Sequence, residues 1–275
     1  MAKEQLNVGK VKKLKSRNPV IEFDKLKLFF GDPYEIDIED AEGTITLSQP
    51  SIGDVVNLGE KRFYGTLNAF TTNTTAFRLQ LWEQGIDWNN ISDFELFIML
   101  IGTADKEVYQ TFLPDIDFSN FGLYQKQLPN SEDKIKVLYD ADNKIEITEQ
   151  VYFHISQYLR TVFNIFPEEK MTSDAIMKRW FIQKDKNELR NKELKKKKGD
   201  EEDSGLLPLI SACCNHPGFK YKSSELKELC VFQFYDSVKR LQIYESTTAL
   251  QKGMYSGFMD TSKIKPEDYN FMRPI

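Results

Sequence analysis

The chain of 275 residues is long enough for one large domain or two ordinary ones, and its 40% hydrophobic residues can build a core. A formal net charge of -5 argues against a general nucleic-acid binder, and three cysteines, two of them adjacent, give no disulfide framework and favour a reducing compartment. No apolar run approaches the ~20 residues of a membrane span, and the basic N-terminus lacks the apolar core of a secretory signal, so we expect a soluble, intracellular protein.

The N-terminal residues 1–19 are predicted to form a basic flexible arm. Residues 1–18 carry six lysines or arginines against a single acidic residue, Glu4. A solvated arm is the simplest interpretation of such a terminus. The alternative is an electrostatic contact between this arm and an acidic partner or nucleic acid.

An α+β N-terminal domain is predicted for residues 20–170, and it begins with short strands. Apolar residues between 21 and 30, and the alternation over 34–38 and 44–47, predict a small antiparallel sheet. A second hairpin is predicted over 135–147, where two alternating runs flank a turn of Asp, Ala and Asn.

Helices in this domain are predicted from capping residues and from apolar spacings of three and four. Ser51 is expected to cap a helix that extends to residue 70. Ser92 and Glu95 have the spacing of a capping box, and the helix that follows is apolar nearly all round, which is typical of a buried helix. Thr148 is expected to cap a third helix.

Residues 171–204 are predicted to be a helix that runs into a charged linker. The first turns carry four apolar side chains that we expect to be buried: Ile176, Met177, Trp180 and Phe181. Beyond residue 183 nearly every side chain is charged, and Glu–Lys pairs four residues apart can stabilise a helix in solvent. We interpret this stretch as a solvated linker ending at Gly205, with a docking patch as the alternative.

A helical C-terminal domain is predicted over 205–257, with an extended tail over 258–275. From residue 226 onward, apolar side chains recur at spacings that keep them on one face of a long helix. The short helix predicted over 206–214 covers only part of this face, so we expect the remainder to be exposed and to bind a partner or a second copy. The predicted partner-binding residues are Leu226, Leu229, Phe234, Val238 and Leu241.

Catalytic and metal-ligating candidates are few. The set closest to a metal site is Cys213, Cys214, His216 and Cys230. Adjacent cysteines on a helix point about 100° apart, so we interpret the cysteines as packing residues and predict no metal and no cofactor. Asp87 beside Trp88 is interpreted as a turn residue next to a core tryptophan. The chain has two histidines and no nucleophile, phosphate-loop or zinc-protease motif, so no catalytic residue is assigned and no enzyme is predicted.

Six runs of the sequence carry a resemblance to known proteins. They are NHPGFKY at 215–221, YDSVKRLQ at 235–242, MYSGFMDTSKI at 254–264, ITLSQPSIGDV at 45–55, GIDW at 85–88 and DFELF at 93–97. These runs resemble proteins of tailed phages and prophages of Gram-positive hosts, some of which lie near tail genes and look like tail assembly chaperones.

This resemblance implies a non-enzymatic protein of phage tail morphogenesis. Such a protein would bind phage tail proteins in the host cytoplasm, or self-associate, and would have neither membrane nor nucleic acid as a partner. One alternative is a permanent virion component of the tail or connector. The other is a nucleic-acid-binding protein that uses the basic arm. The family supplies no catalytic residues.

Overall fold

The structure, a computed structural model, describes residues 21–38, 43–127, 134–198, 204–257 and 264–275. The fold is 55% helical with two small antiparallel sheets, so the predicted α+β class is confirmed. The predicted basic arm, residues 1–19, lies outside the described residues. Within the described ranges, no helix is both long and apolar enough to cross a membrane.

Helix α1 (Lys25–Phe30) occupies a stretch that the sequence predicts as strand. The side chain of Asp24 accepts hydrogen bonds from two backbone N–H groups of the first turn, and Gly31 ends the helix at φ 74°. Both ends of this short helix therefore have partners for their free backbone groups. The strand prediction over 21–30 is wrong because these caps outweigh the apolar alternation.

The first sheet pairs β1 (Tyr34–Asp37) with β2 (Thr44–Leu47) in antiparallel register, as predicted. Ile36 lies opposite Ile45, and both side chains are buried, as is Leu47. The alternation in the sequence thus identifies the face of the hairpin that contacts the core.

Two helices, α2 (Ile52–Leu58) and α3 (Glu60–Thr71), replace the single helix predicted after Ser51. The predicted N-cap is confirmed, because Ser51 and Asp54 form a reciprocal capping box. Gly59 separates the two helices at φ 89°, a conformation that other residues rarely adopt. The apolar spacing continues across this break, which explains why the sequence pattern alone does not show it.

Three helices follow, α4 (Arg78–Glu83), α5 (Asp93–Ile101) and α6 (Lys106–Tyr109). The capping box predicted for α5 is confirmed, with Ser92 and Glu95 each accepting a backbone N–H of the other. Phe94 and Phe97 are buried, whereas Met99 is 47% exposed. The expectation that this helix is buried nearly all round is therefore wrong at Met99, the one exposed residue of α5.

The second sheet has the strand order β3-β4-β5, all antiparallel: β3 (Phe121–Gln127), β4 (Lys134–Asp140) and β5 (Ile145–Ile147). The hairpin predicted over 135–147 is confirmed as β4 and β5. Helix α7 (Glu149–Phe163) follows, and Thr148 caps it as predicted by accepting the Val151 N–H at 3.3 Å.

The remaining helices are α8 (Ala175–Lys197), α9 (Leu206–Asn215), α10 (Ser223–Leu226) and α11 (Val231–Tyr255). A 3-10 helix at Pro266–Tyr269 packs against α11, so the extended conformation predicted for the tail is wrong for these four residues. Arg240 on α11 binds this tail through its Nη1, which donates to the carbonyl oxygens of Phe271 (2.8 Å) and Arg273 (2.9 Å).

One hydrophobic core contains residues from both sides of the boundary predicted at Gly205. Phe63 and Phe163 share it with Val231 and Phe234 of the C-terminal part. The division into an N-terminal and a C-terminal domain remains a prediction. The shared core brings apolar side chains of the two parts together.

Candidate protein-interaction surface

The predicted partner-binding stripe lies largely inside the chain's own core. Leu226, Leu229 and Phe234 are 2%, 7% and 0% exposed, so the expectation that they form an uncovered patch is wrong. Val238 and Leu241 are partly buried and pack against the same core. Partner binding through this stripe remains a prediction, and it would require the stripe to leave this core.

Backbone pairing explains why this stripe is covered. Leu226 ends α10, and α11 begins only at Val231, so the stripe does not lie on one helix. The intervening segment runs against 50–53: the Gly53 N–H donates to the Lys227 carbonyl oxygen at 2.8 Å. A Cβ on Gly53 would lie 2.9 Å from that oxygen, so only glycine permits this close approach.

A second connection fixes α9 to the N-terminal part. The Glu60 carboxylate, at the start of α3, accepts the backbone N–H groups of Gly205 (2.8 Å) and Leu206 (3.0 Å) and also binds the Ser204 hydroxyl. These are free donors at the start of α9, and a carboxylate there is favoured by the helix dipole. Glu60 therefore holds the beginning of the C-terminal part in place.

Cys213 and Cys230 are packing residues and His216 is a turn residue, whereas Cys214 is exposed, so the interpretation of Cys214 as a packing residue is wrong. Burial raises the pKa of the Cys213 thiol and that of the Cys230 thiol, whose Sγ lies 3.7 Å from the Phe29 carbonyl oxygen. The His216 Nδ1 accepts the Gly218 N–H at 3.0 Å within the turn. In the part of the chain that the structure describes, no group of three or more His, Cys, Asp or Glu is arranged to hold a metal ion.

Exposed apolar side chains, which were expected on the C-terminal stripe, lie instead on helix α8. Ile176, Met177 and Trp180 are 78%, 41% and 54% exposed, so the expectation that they are buried is wrong. The side chain that α8 buries is Ile182, which lies about 160° around the helix axis from Trp180. The helix therefore packs through one face and presents the opposite one to solvent.

Two ion pairs anchor the packed face of α8. The Arg78 guanidinium contacts both oxygens of Asp185, at 2.5 Å each, and stacks over the Phe181 ring with 4.8 Å to the centroid. Lys178 pairs with Asp87; burial alone would raise the pKa of this carboxyl, but the contact with Lys178 lowers it overall. Because Arg78 and Asp185 are both largely buried, their pairing fixes the rotation of α8 about its axis.

The segment before α8 is held by hydrogen bonds to its backbone. The Trp88 indole N–H donates to the Lys170 carbonyl oxygen at 3.1 Å, and Trp88 is fully buried, which confirms it as a core tryptophan. The Thr75 hydroxyl accepts the Lys170 N–H at 3.1 Å, and the Asn89 amide donates to the Thr172 carbonyl oxygen at 3.0 Å. Asp174 then caps α8. These contacts fix the backbone at the start of α8.

We define the α8 outer face by six exposed residues that follow one another at spacings of three and four. They are Ile176, Trp180, Gln183, Asn187, Arg190 and Leu194. A hollow of about 260 Å³ lies along this face, between the Trp180 ring and the amides of Gln183, Asn187 and Asn191. From residue 186 to the end of the helix every side chain is exposed, so this half of α8 contributes no buried side chain to the core.

Comparison with known proteins gives one match. Residues 196–275 match the family model described as YomV second domain. This family is phage-derived, from a Bacillus prophage, so the C-terminal part of the chain is similar to a phage-associated domain and the expected phage lineage is supported. No curated protein and no solved structure matches the chain.

The matched region covers less than a third of the chain and begins within the last turn of α8. It includes three of the runs that carry the phage resemblance, those at 215–221, 235–242 and 254–264. The apolar part of the α8 outer face precedes it. The candidate surface therefore rests on the geometry of this chain alone.

The charge of α8 differs from that of the rest of the protein. The helix has nine lysines and arginines against three acidic residues, in a chain with a net charge of -5. Lys184 and Lys186 form only long ion pairs of 3.7 Å, with Glu188 and Glu83. A signal for this surface was present in the sequence, because apolar residues at 176, 180 and 182 cannot all face one side of a helix.

Proposed function

We propose that the chain is an accessory protein of phage tail morphogenesis that acts as a tail assembly chaperone. In this proposal it binds a phage tail protein in the host cytoplasm and covers an apolar surface of that protein until assembly. The phage-derived family of residues 196–275 supports the phage setting, and the resemblance of the six sequence runs supports the tail. The proposal assigns the chain no catalytic activity.

The observation that carries this proposal is the exposure of apolar side chains on a rigidly mounted helix. Full burial of one such side chain stabilises a protein by about 1.5–3 kcal/mol, and α8 forgoes this gain at Ile176 and Trp180, which lie one turn apart. Single exposed apolar residues are ordinary, but an aligned group on an anchored helix is typical of a binding surface. A partner protein that covers the α8 outer face would recover this free energy.

Quantitative mass spectrometry of purified virions and of infected-cell lysate tests the chaperone role. A chaperone leaves before the virion is complete, so we expect the chain to be absent from virions while it co-purifies with a tail protein from the lysate. A fixed copy number in purified virions would contradict this proposal and would favour a permanent tail or connector component.

Paired variants test whether the α8 outer face is the binding surface. The double variant Ile176→Ser/Trp180→Ala should lose the co-purified tail protein, because it removes the two largest exposed apolar groups of the face. Leu207→Ser is the matched control, since Leu207 is a similarly exposed apolar residue (63%) that lies on α9 and is not part of the α8 outer face. Equal recovery of the tail protein with wild type and both variants would show that another surface binds it.

A further inference from the structure

We propose that the partner segment bound by the α8 outer face is an acidic amphipathic helix, which pairs with α8 as in a two-stranded coiled coil. This inference rests on the proposed function, because it assumes that α8 binds a protein. It adds the chemistry of the partner, which neither the family match nor the resemblance describes.

The outer face has the residue spacing of a coiled-coil seam. With Trp180 at position a of a heptad, Asn187 and Leu194 are the next two a residues, and the d residues are Ile176, Gln183 and Arg190. The residues that anchor α8 fall on the other side, with Asp185 at f and Ile182 at c. A second helix can therefore lie along the seam without disturbing the contacts of Ile182 and Asp185 with the body. At the edge of the seam it would compete with one long ion pair, Lys186–Glu83 at 3.7 Å.

The polar middle of the seam favours a helix over a lipid surface. Gln183 and Asn187 lie between the apolar residues Trp180 and Leu194, and all four are exposed. The Gln183 amide donates one hydrogen bond to the Asn187 side-chain oxygen at 3.2 Å, but the remaining donors and acceptors of both amides would lose their water partners among acyl chains, at a cost of several kcal/mol, on the order of 4. Polar side chains of a facing helix can bind these amides, and an asparagine at an a position is a known means of fixing register in helix pairs.

Charge next to the seam defines the partner as acidic. A coiled coil places its inter-helix ion pairs at the e and g positions, where α8 has four charged residues. Arg179, Lys186 and Glu193 occupy g positions and Lys184 an e position, so three of the four charges are positive. In a parallel pair of two α8 helices Arg179 would face Lys184, and each helix carries an excess of six positive charges over negative ones. Self-pairing is therefore disfavoured, whereas glutamates at the e and g positions of a partner complement these side chains.

A nucleic acid would also be attracted by this charge, but it would not use the apolar residues of the face. Phosphate contacts come from basic and polar groups, whereas the apolar side chain of Ile176 is 78% exposed and aligned with Trp180 in the first turns of the helix. The lysines alone do not account for this alignment. An apolar seam on the partner does.

Two synthetic peptides that differ only in charge test the inference with the full-length protein. Each has four heptads with leucine at a and d and one asparagine at a; one carries glutamate at every e and g position, and the other carries lysine. We expect the acidic peptide to bind at least about tenfold more tightly than the basic one, measured by fluorescence anisotropy, with the difference shrinking as salt screens the charges.

Two variants separate the seam from its charges. Trp180→Ala should weaken binding of the acidic peptide about tenfold, the expected cost of removing an aromatic anchor from an interface. Arg179→Glu/Lys184→Glu should reverse the preference, so that the basic peptide binds more tightly. Both altered positions are exposed, and circular dichroism with thermal unfolding confirms that each variant remains folded. Leu207→Ser should leave both affinities unchanged.

Three results would overturn the inference: no binding of either peptide, equal binding of both, or a preference that survives the charge reversal. A DNA duplex or vesicles containing anionic lipid that bind in a Trp180-dependent manner would also overturn it, in favour of that ligand. None of these results bears on whether the chain is absent from purified virions, so virion mass spectrometry tests the proposed function separately.

Discussion

Phe234→Ala measures how strongly the C-terminal part supports the rest of the molecule. The ring is 0% exposed and packs in the core that contains side chains of α3 and α7. Removal of a buried phenylalanine side chain leaves a cavity and lowers the free energy of unfolding by about 3–5 kcal/mol. Lys239→Ala is the control, because its ammonium group makes an exposed contact with the Asn164 side chain (2.6 Å), and its loss should cost about 1 kcal/mol or less.

Tryptophan fluorescence during urea denaturation makes this test specific. All three tryptophans precede residue 205, so their signal reports only on the part before the predicted boundary. If the shared core couples the two parts, Phe234→Ala shifts the tryptophan transition by the full 3–5 kcal/mol, at an unchanged dependence on urea. A tryptophan transition within about 1 kcal/mol of wild type, with a separate loss of helix by circular dichroism, would refute the coupling and establish an independent C-terminal domain.

Three further predictions concern single contacts. Glu60→Ala removes the acceptor at the start of α9 and should lower the free energy of unfolding by about 1–2 kcal/mol in urea denaturation, whereas no change would show that α9 needs no cap. The contact with Lys136 lowers the pKa of Glu95. The stabilisation of the fold by this contact is therefore fully present above about pH 4.3, the ordinary glutamate value, and is lost as pH falls through the lowered pKa. Lys136→Met should reduce the loss of unfolding free energy at acid pH, measured by urea denaturation at a series of pH values. The protein as purified should contain no stoichiometric zinc by elemental analysis, and a chelator should leave its Tm unchanged, because burial raises the pKa of the Cys213 and Cys230 thiols and so disfavours the thiolate that binds zinc.

Local capping chemistry accounts for the parts of the fold that the sequence predicts well. Ser51, Ser92 and Thr148 each bind the backbone of the helix that they precede, as their spacing indicates. Such contacts depend only on neighbouring residues, so the sequence contains all the information they need. The alternation of apolar and polar residues in β1, β2, β4 and β5 can be recognised in the sequence for the same reason.

Contacts between distant residues account for what the sequence does not show. The segment after α10 follows the spacing of a helix, yet its backbone is taken up by hydrogen bonds to residues 50–53, about 175 positions earlier in the chain. The exposure of Trp180 likewise depends on Arg78 and Asp87, whose ion pairs determine which side of α8 faces the body. An apolar pattern shows that a helix has a face to cover, but not which of two faces the fold covers.

The partner surface follows from where the molecule has already used its apolar residues. Leu226, Leu229 and Phe234 contribute to the core, and exposing them would cost several kcal/mol, on the order of 2 for each side chain. A partner can cover Ile176 and Trp180 without exposing any core side chain, because α8 packs on the body through its opposite face. A partner that binds α8 therefore gains the burial free energy of the exposed parts of these side chains, 78% of Ile176 and 54% of Trp180, without unfolding any part of the chain. This difference favours α8 over the C-terminal stripe as the binding surface in the function that we propose.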